Sequence, residues 1–219
     1  AKNAAIKFTL SANETLDAAT VTASDFTVTN GGTPTITGSG SSYTVTTTAS
    51  GQGNVVIALS GTFSVSDPAG NAATTASGSD RTVTFDSVAP TLTLQQAAGQ
   101  ADPAKNSTIR FAFTSSEPLV DSTVTAADFT ATNANDISVS GSGDAFVVTV
   151  TADGQGDVKV APSADFSVAD PAGNDTTTAG GTDRTVTYDS VAPVVTLEQA
   201  ATQADPAKNA TIRFAFTSS

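Results

Sequence analysis

Apolar and polar residues alternate along most of this chain with a period of two, which marks strands with one buried and one wet face. In Thr108-Ile109-Arg110-Phe111-Ala112-Phe113, Ile109, Phe111 and Phe113 fall on one face and Arg110 on the other. Leu92 and Leu94 share a face, as do Phe146, Val148 and Val150. Shorter runs at Asp128–Thr132, Ile137–Val139, Val158–Val160 and Thr185–Tyr188 complete seven predicted strands. They are rich in Val, Thr and Phe and bounded by Gly, Asn, Asp and Pro. No stretch sustains a 3.6-residue period; at most, Ser122–Asp128 and Ala18–Asp25 each make one helical turn. Gly154-Gln155-Gly156 predicts a tight hairpin whose glycines supply positive φ. From Ala164 to Asp183 the pattern is irregular. Phe166 and Val168 alternate and anchor the segment, Asp170-Pro171-Ala172-Gly173-Asn174 turns it, and Thr176–Thr182 reads as an exposed, mobile loop.

The whole pattern repeats. Asp86-Ser87-Val88-Ala89-Pro90 returns as Asp189-Ser190-Val191-Ala192-Pro193, an offset of 189 − 86 = 103 residues. Asp67-Pro68-Ala69-Gly70-Asn71 and Asp102-Pro103-Ala104-Lys105-Asn106 return at the same offset without insertion or deletion, and about 60 of the 103 paired positions are identical. A fixed period signals an array, with Asp-Ser-Val-Ala-Pro as its joint. Seven antiparallel strands in about 100 residues predict an all-β fold of tandem immunoglobulin-like β-sandwich domains in an extended array. Counted from joint to joint, residues 1–85 are a domain lacking its first strand, 86–188 a complete domain, and 189–219 the first two strands of a third. With no Cys or Trp to build the antibody-type core, Phe111, Phe113, Phe146 and Tyr188 are expected to fill it, as are Phe8, Leu10, Tyr43 and Phe85 in the first copy.

Composition narrows the function. The 219 residues carry a formal charge of −12 and no Cys, Met, His or Trp. Without a Met the chain reads as a segment of a longer protein. The acidic surface disfavours nucleic acid and anionic membranes. No apolar run approaches the roughly 20 residues that span a bilayer. Absence of Cys excludes a disulfide framework. A Cys-free, Thr-rich, acidic repeat points to an extracellular place on a bacterial cell surface.

The order of several motifs carries a resemblance. Phe111-Ala112-Phe113-Thr114-Ser115-Ser116-Glu117-Pro118-Leu119 is followed by Thr125-Ala126-Ala127-Asp128-Phe129, a Gly-Ser-Gly turn, the Asp-Pro-Ala-Gly-Asn loop and the Asp-Ser-Val-Ala-Pro joint. Together these resemble the bacterial Ig-like tandem repeats of large surface and biofilm adhesins, across both copies end to end. The first copy departs at Ser11-Ala12-Asn13-Glu14-Thr15-Leu16, which lacks the Pro after Glu14. The resemblance implies a stalk or spacer without catalysis, with calcium held by loop carboxylates between or at the ends of domains. The partners it implies are neighbouring repeats of the same chain. A filament subunit is the alternative, in which identical chains join by β-strand complementation, Val194-Val195-Thr196-Leu197 of one supplying the strand that residues 1–85 lack in another.

No enzyme is expected: the chain has neither His nor Cys, and Glu117 with Asp170, the one carboxylate pair worth testing, has no aromatic sugar platform. Calcium takes six to eight hard oxygens. The acidic residues that recur in loops are Asp67, Asp86, Asp102, Glu117, Asp170, Asp189 and Asp205, and these are the candidate ligands. Asp86 is expected between the loop that carries Asp67 and the loops of the following domain. An Asp ahead of Ser or Pro also makes Asx-turns without any ion.

Overall fold

The computed structural model describes residues 1–218, and the chain is all-β, without an α-helix among the described residues. The first eight strands are β1 (Ala5–Ser11), β2 (Phe26–Thr29), β3 (Thr35–Ser39), β4 (Ser42–Thr48), β5 (Gly53–Leu59), the short β6 (Val65–Ser66) and β7 (Ala72–Ala73), and β8 (Thr82–Phe85). Nine follow: β9 (Leu92–Gln96), β10 (Thr108–Ser115), β11 (Phe129–Thr132), β12 (Ala134–Ser142), β13 (Ala145–Ala152), β14 (Gly156–Pro162), β15 (Val168–Ala169), β16 (Asp175–Thr176) and β17 (Thr185–Tyr188). Last come β18 (Val195–Gln199) and β19 (Phe214–Ser218). Every hydrogen-bonded sheet lies wholly within residues 5–85, 92–188 or 195–218.

Residues 92–188 show how the alternating pattern folds. A four-stranded sheet in the order β12-β13-β10-β9 faces a three-stranded sheet β11-β14-β17, a sandwich-like arrangement. Every second residue points between them: Leu94, Ile109, Phe111, Phe113, Val148 and Val150 from one sheet, Val158, Val160 and Val186 from the other, all fully buried. Phe113 packs edge-on against Phe129 and Phe166, with ring centroids 5.3 and 6.0 Å apart, and these aromatics fill the middle of the core. Tyr188, expected in that core, is only half-buried at its end.

Three local expectations need revision. The single helical turn before β11 is a pair of 3-10 turns, Asp121–Thr123 and Ala126–Asp128. The second is closed by a capping box: Asp128, buried, accepts from the backbone N–H and the hydroxyl of Thr125, both at 2.7 Å. Asp25 does the same with Thr22. The short strand Ile137–Val139 belongs to the longer β12, which shifts register between Asn135 and Ser138. The segment Thr176–Thr182 is pinned to the sheet. Gly180 exchanges backbone hydrogen bonds with Leu92 and Leu94, the Thr176 hydroxyl donates to Pro90 O at 2.6 Å, and Ala179 packs on the core. Most of the segment is exposed, as its Thr- and Gly-rich composition suggested, but it is not loose: the outer edge of β9 supplies the partner that holds it.

Residues 5–85 repeat this architecture with a difference. Their sheets are β1-β4-β3 and β2-β5-β8, so β1 stands at an edge where β10 has β9 beside it. The apolar residues form two clusters where 92–188 have one. Tyr43 and Phe85 are buried as expected, but Phe8 and Leu10 are only half-buried, whereas their counterparts Phe111 and Phe113 are fully covered.

Candidate metal centre

Asp86 leaves the end of β8 and opens the segment that leads to β9. Its N–H donates to Ala1 O at 2.9 Å, and its Oδ1 accepts from Val88 N at 3.1 Å, the Asx-turn expected for Asp in this position. Ser87 is clamped by Gln52: the Gln52 amide donates to Ser87 Oγ at 2.8 Å, and its carbonyl accepts from Ser87 N at 3.1 Å. Glu117 follows β10, where Ser116 N–H donates to Thr91 O at 2.9 Å and fixes the strand end. Asp170 follows β15 and closes its loop on itself. Asn174 donates from its backbone to Asp170 Oδ1 at 2.9 Å and from its side chain to Oδ2 at 2.7 Å. The same Asn174 amide donates to Asp86 O at 3.2 Å, tying that loop to the joint.

These elements bring one carboxylate oxygen each from Asp86, Glu117 and Asp170 within 4.8 Å of one another. Two oxygens that each sit about 2.4 Å from a single calcium ion lie at most about 4.8 Å apart, so this spread fits one such ion. Asp170 is buried, while Asp86 and Glu117 are half-buried. Burial pushes the Glu117 carboxyl above its ordinary value, and the negative charges of Asp86 and Asp170, with a hydrogen bond shared with Asp86, push it the same way. Burial pushes Asp170 up as well. The hydrogen bonds from the Asn174 side chain and backbone, and from the Ala172 and Gly173 N–H groups, outweigh that and leave its carboxyl below the ordinary value. One acid that resists ionisation therefore faces another held ionised. A divalent cation would relieve the repulsion among the three.

The remaining predicted ligands lie elsewhere. Asp67 is not a neighbour of Asp86: all three clustered carboxylates come from residues 86–188, and the expected contribution of the Asp67 loop to this joint is absent. Asp67 closes its own loop with Asn71, at 2.8 Å to the backbone and 2.7 Å to the side chain, and those bonds hold its carboxyl below the ordinary value. Its loop is the counterpart of the Asp170 loop, so it stands at the far end of residues 5–85, where it lines a pocket with Glu14. Asp102 accepts from Thr187 N at 2.9 Å and serves as a backbone anchor at the other end of its unit. Asp189 makes the Asx-turn with Val191 N at 3.0 Å, and Asp205 is exposed.

Two residues of the joint escaped the sequence reading. Gln52 clamps Ser87, and Gln155 clamps Ser190 in the same way, at 2.8 and 3.0 Å. The glycines of Gly-Gln-Gly drew attention to the hairpin; the Gln held between them in both copies was the signal. Lys2 reaches across to the loop of residues 173–175, donating to Gly173 O and lying 3.8 Å from the Asp175 carboxylate. No family model and no curated protein matches this chain.

Proposed function

We propose that this chain is a length of the stalk of a bacterial cell-surface or biofilm adhesin, with immunoglobulin-like sandwiches following one another and a calcium ion stiffening the joint between them. One observation carries this reading: Asp86, within the repeated Asp-Ser-Val-Ala-Pro joint, converges with Glu117 and Asp170 in a triad sized for one cation. The joint itself is short and restrained. Of its five residues, Asp86 is held by Ala1 and Asn174, Ser87 by Gln52, Val88 by Asp86, and Pro90 by Thr176. Pro90 is also buried and fixes its own φ. Such a linker resists bending more than a Gly/Ser linker would.

In this reading the work is mechanical. Each unit folds on its own core, neighbours contact only each other, and reach grows with the number of repeats. Asp170 and Glu117 belong to one unit and Asp86 to the segment entering it, so an ion bound by all three fixes the direction in which the chain enters. The test is thermal unfolding and solution scattering of the 219-residue chain in calcium and in chelator. A higher midpoint and a more extended, better-defined profile in calcium are expected; identical midpoints and profiles would remove calcium from the account.

A further inference from the structure

We infer that two segments of the second unit, the entering Leu92–Ala104 and the leaving Gly180–Asp189, form a shear clamp that carries tension along the array. Both segments run the same way. Thr93 pairs in parallel with Gly180, and Ala104 pairs in parallel with Tyr188. A short turn, in which Gln100 N–H donates to Ala97 O at 3.0 Å, divides the entering segment into two stretches. In the first, Gly180 N–H donates to Leu92 O at 2.7 Å, Leu94 N–H to Gly180 O at 3.0 Å and Gln96 N–H to Asp183 O at 2.6 Å. In the second, Ala104 N–H donates to Thr187 O and Asp189 N–H to Ala104 O, both at 2.8 Å, and Thr187 N–H donates to Asp102 Oδ1 at 2.9 Å. The Arg184 guanidinium ties the first stretch further. Its Nε donates to Leu94 O at 3.3 Å, and its Nη2 donates to Ala179 O and Gly180 O.

The direction of the load gives this pairing its consequence. In a stalk pulled from both ends, tension enters the unit ahead of Leu92 and leaves it beyond Asp189. Parallel neighbours pulled at opposite ends slide along each other. Their bonds lie across the strands, so all of them are loaded together and must fail together. The same bonds pulled from one end open in turn, each bearing the whole load alone. Because the two segments bond directly to each other, tension passes between them without crossing β11 to β14. Leu92 and Leu94, both buried, root the entering segment in the core. Gly181 lets the leaving segment come this close. It holds φ at +102°, and a Cβ there would lie 2.1 Å from Leu94 O. Forced unfolding is governed by the unfolding barrier and not by the equilibrium. Pulling direction therefore changes the force a unit withstands without any change in its melting midpoint. The clamp rests on the stalk reading for its load and owes nothing to calcium.

The test is single-molecule pulling on the 219-residue chain, in chelator, along two directions. The chain has no Cys, so handles can be attached through introduced ones. Val88→Cys with Val191→Cys, both exposed, loads the unit along the array. Val88→Cys with Thr178→Cys loads the same bonds from one end, since the Thr176 hydroxyl bonds Pro90 O and puts that end of the leaving segment beside the entrance. Opening releases about 350 Å of chain in the first case and about 300 Å in the second, which identifies the event. The array direction should need severalfold more force. Asp102→Ala removes a bond from the far end of the clamp. It should lower the force along the array, leave the one-end force unchanged, and be rescued by Asp102→Asn, which keeps the acceptor. Equal forces in the two directions overturn the inference, as does an Asp102→Ala chain weakened alike in both. A joint that ignores calcium in a chain that still resists shear would remove the ion and leave the clamp; a joint that responds to calcium in a chain without directional strength would remove the clamp alone.

Discussion

Replacing Glu117 by Gln isolates the electrostatics of the joint. The substitution keeps the shape of the side chain and removes one of three negative charges. Two unit charges 4.8 Å apart repel by about 3.5 kcal/mol at an effective dielectric of 20 and by about 0.9 kcal/mol in bulk water. Asp86 and Glu117 are half-exposed, so solvent screening places each pair near the lower figure. Neutralising Glu117 relieves two such pairs, about 1–2 kcal/mol in all. The sign with pH follows from the direction of its shift. The folded-state pKa is raised, so wild type has its full stability below the ordinary Glu range and loses some as pH rises through the folded value. In chelator at pH 7, Glu117→Gln should therefore be the more stable protein, and the two should converge at pH values below about 4, near the ordinary Glu pKa. Calcium should reverse the order, because an ion held at 100 times its Kd adds about 2.7 kcal/mol to wild type and less to a variant missing one ligand. Differential scanning calorimetry reads all four conditions, and a unit of this size shifts by roughly 4–8 °C per kcal/mol. The reasoning fails if Glu117→Gln is the less stable protein in chelator at pH 7, or if calcium raises both midpoints equally.

Other substitutions probe the fold around the joint. Asp128→Ala removes a buried cap that satisfies two donors of Thr125 and should cost about 1–2 kcal/mol in denaturant unfolding, whereas Asp121→Ala, at the exposed start of the preceding 3-10 turn, should cost less. Tyr43 buries a hydroxyl without a partner where the second copy has Phe146, so Tyr43→Phe should raise stability by about 1 kcal/mol, and a loss of that size would show an unrecognised bond. Leu94→Ala empties the centre of the 92–188 core and should cost about 2–5 kcal/mol in its unfolding transition, while Leu10→Ala, half-exposed on β1, should cost clearly less.

The strand pattern was legible because alternation writes burial directly into sequence: Ile109, Phe111 and Phe113 lie inside and Arg110 outside, as their spacing requires. The limits lay where partners are distant in sequence. Thr176–Thr182 looked like a loose loop because its restraint is the edge of β9, more than 80 residues earlier, and composition says nothing about such a partner. Phe8 and Leu10 carry the same pattern as Phe111 and Phe113, yet stay half-buried, because a pattern records the face a residue turns inward and not whether a neighbouring strand arrives to cover it. For the acidic residues, recurrence identified the loops but not which loops meet. Asp67 and Asp170 open the same Asp-Pro-Ala-Gly-Asn stretch, and only the direction in which the chain enters each unit decides that Asp86 meets Asp170. Asp102 shares that recurrence and spends its carboxylate on Thr187 N–H.

The central claim is that a cation stiffens the joint. With no native Cys, spin labels can be placed at Thr37→Cys and Ser140→Cys, equivalent exposed positions on β3 and β12. Pulsed electron–electron resonance then reads the distribution of distances across the joint. The account predicts one narrow distribution in calcium that broadens in chelator and stays broad in both when Glu117→Gln is added. A distribution whose width does not respond to calcium would contradict it.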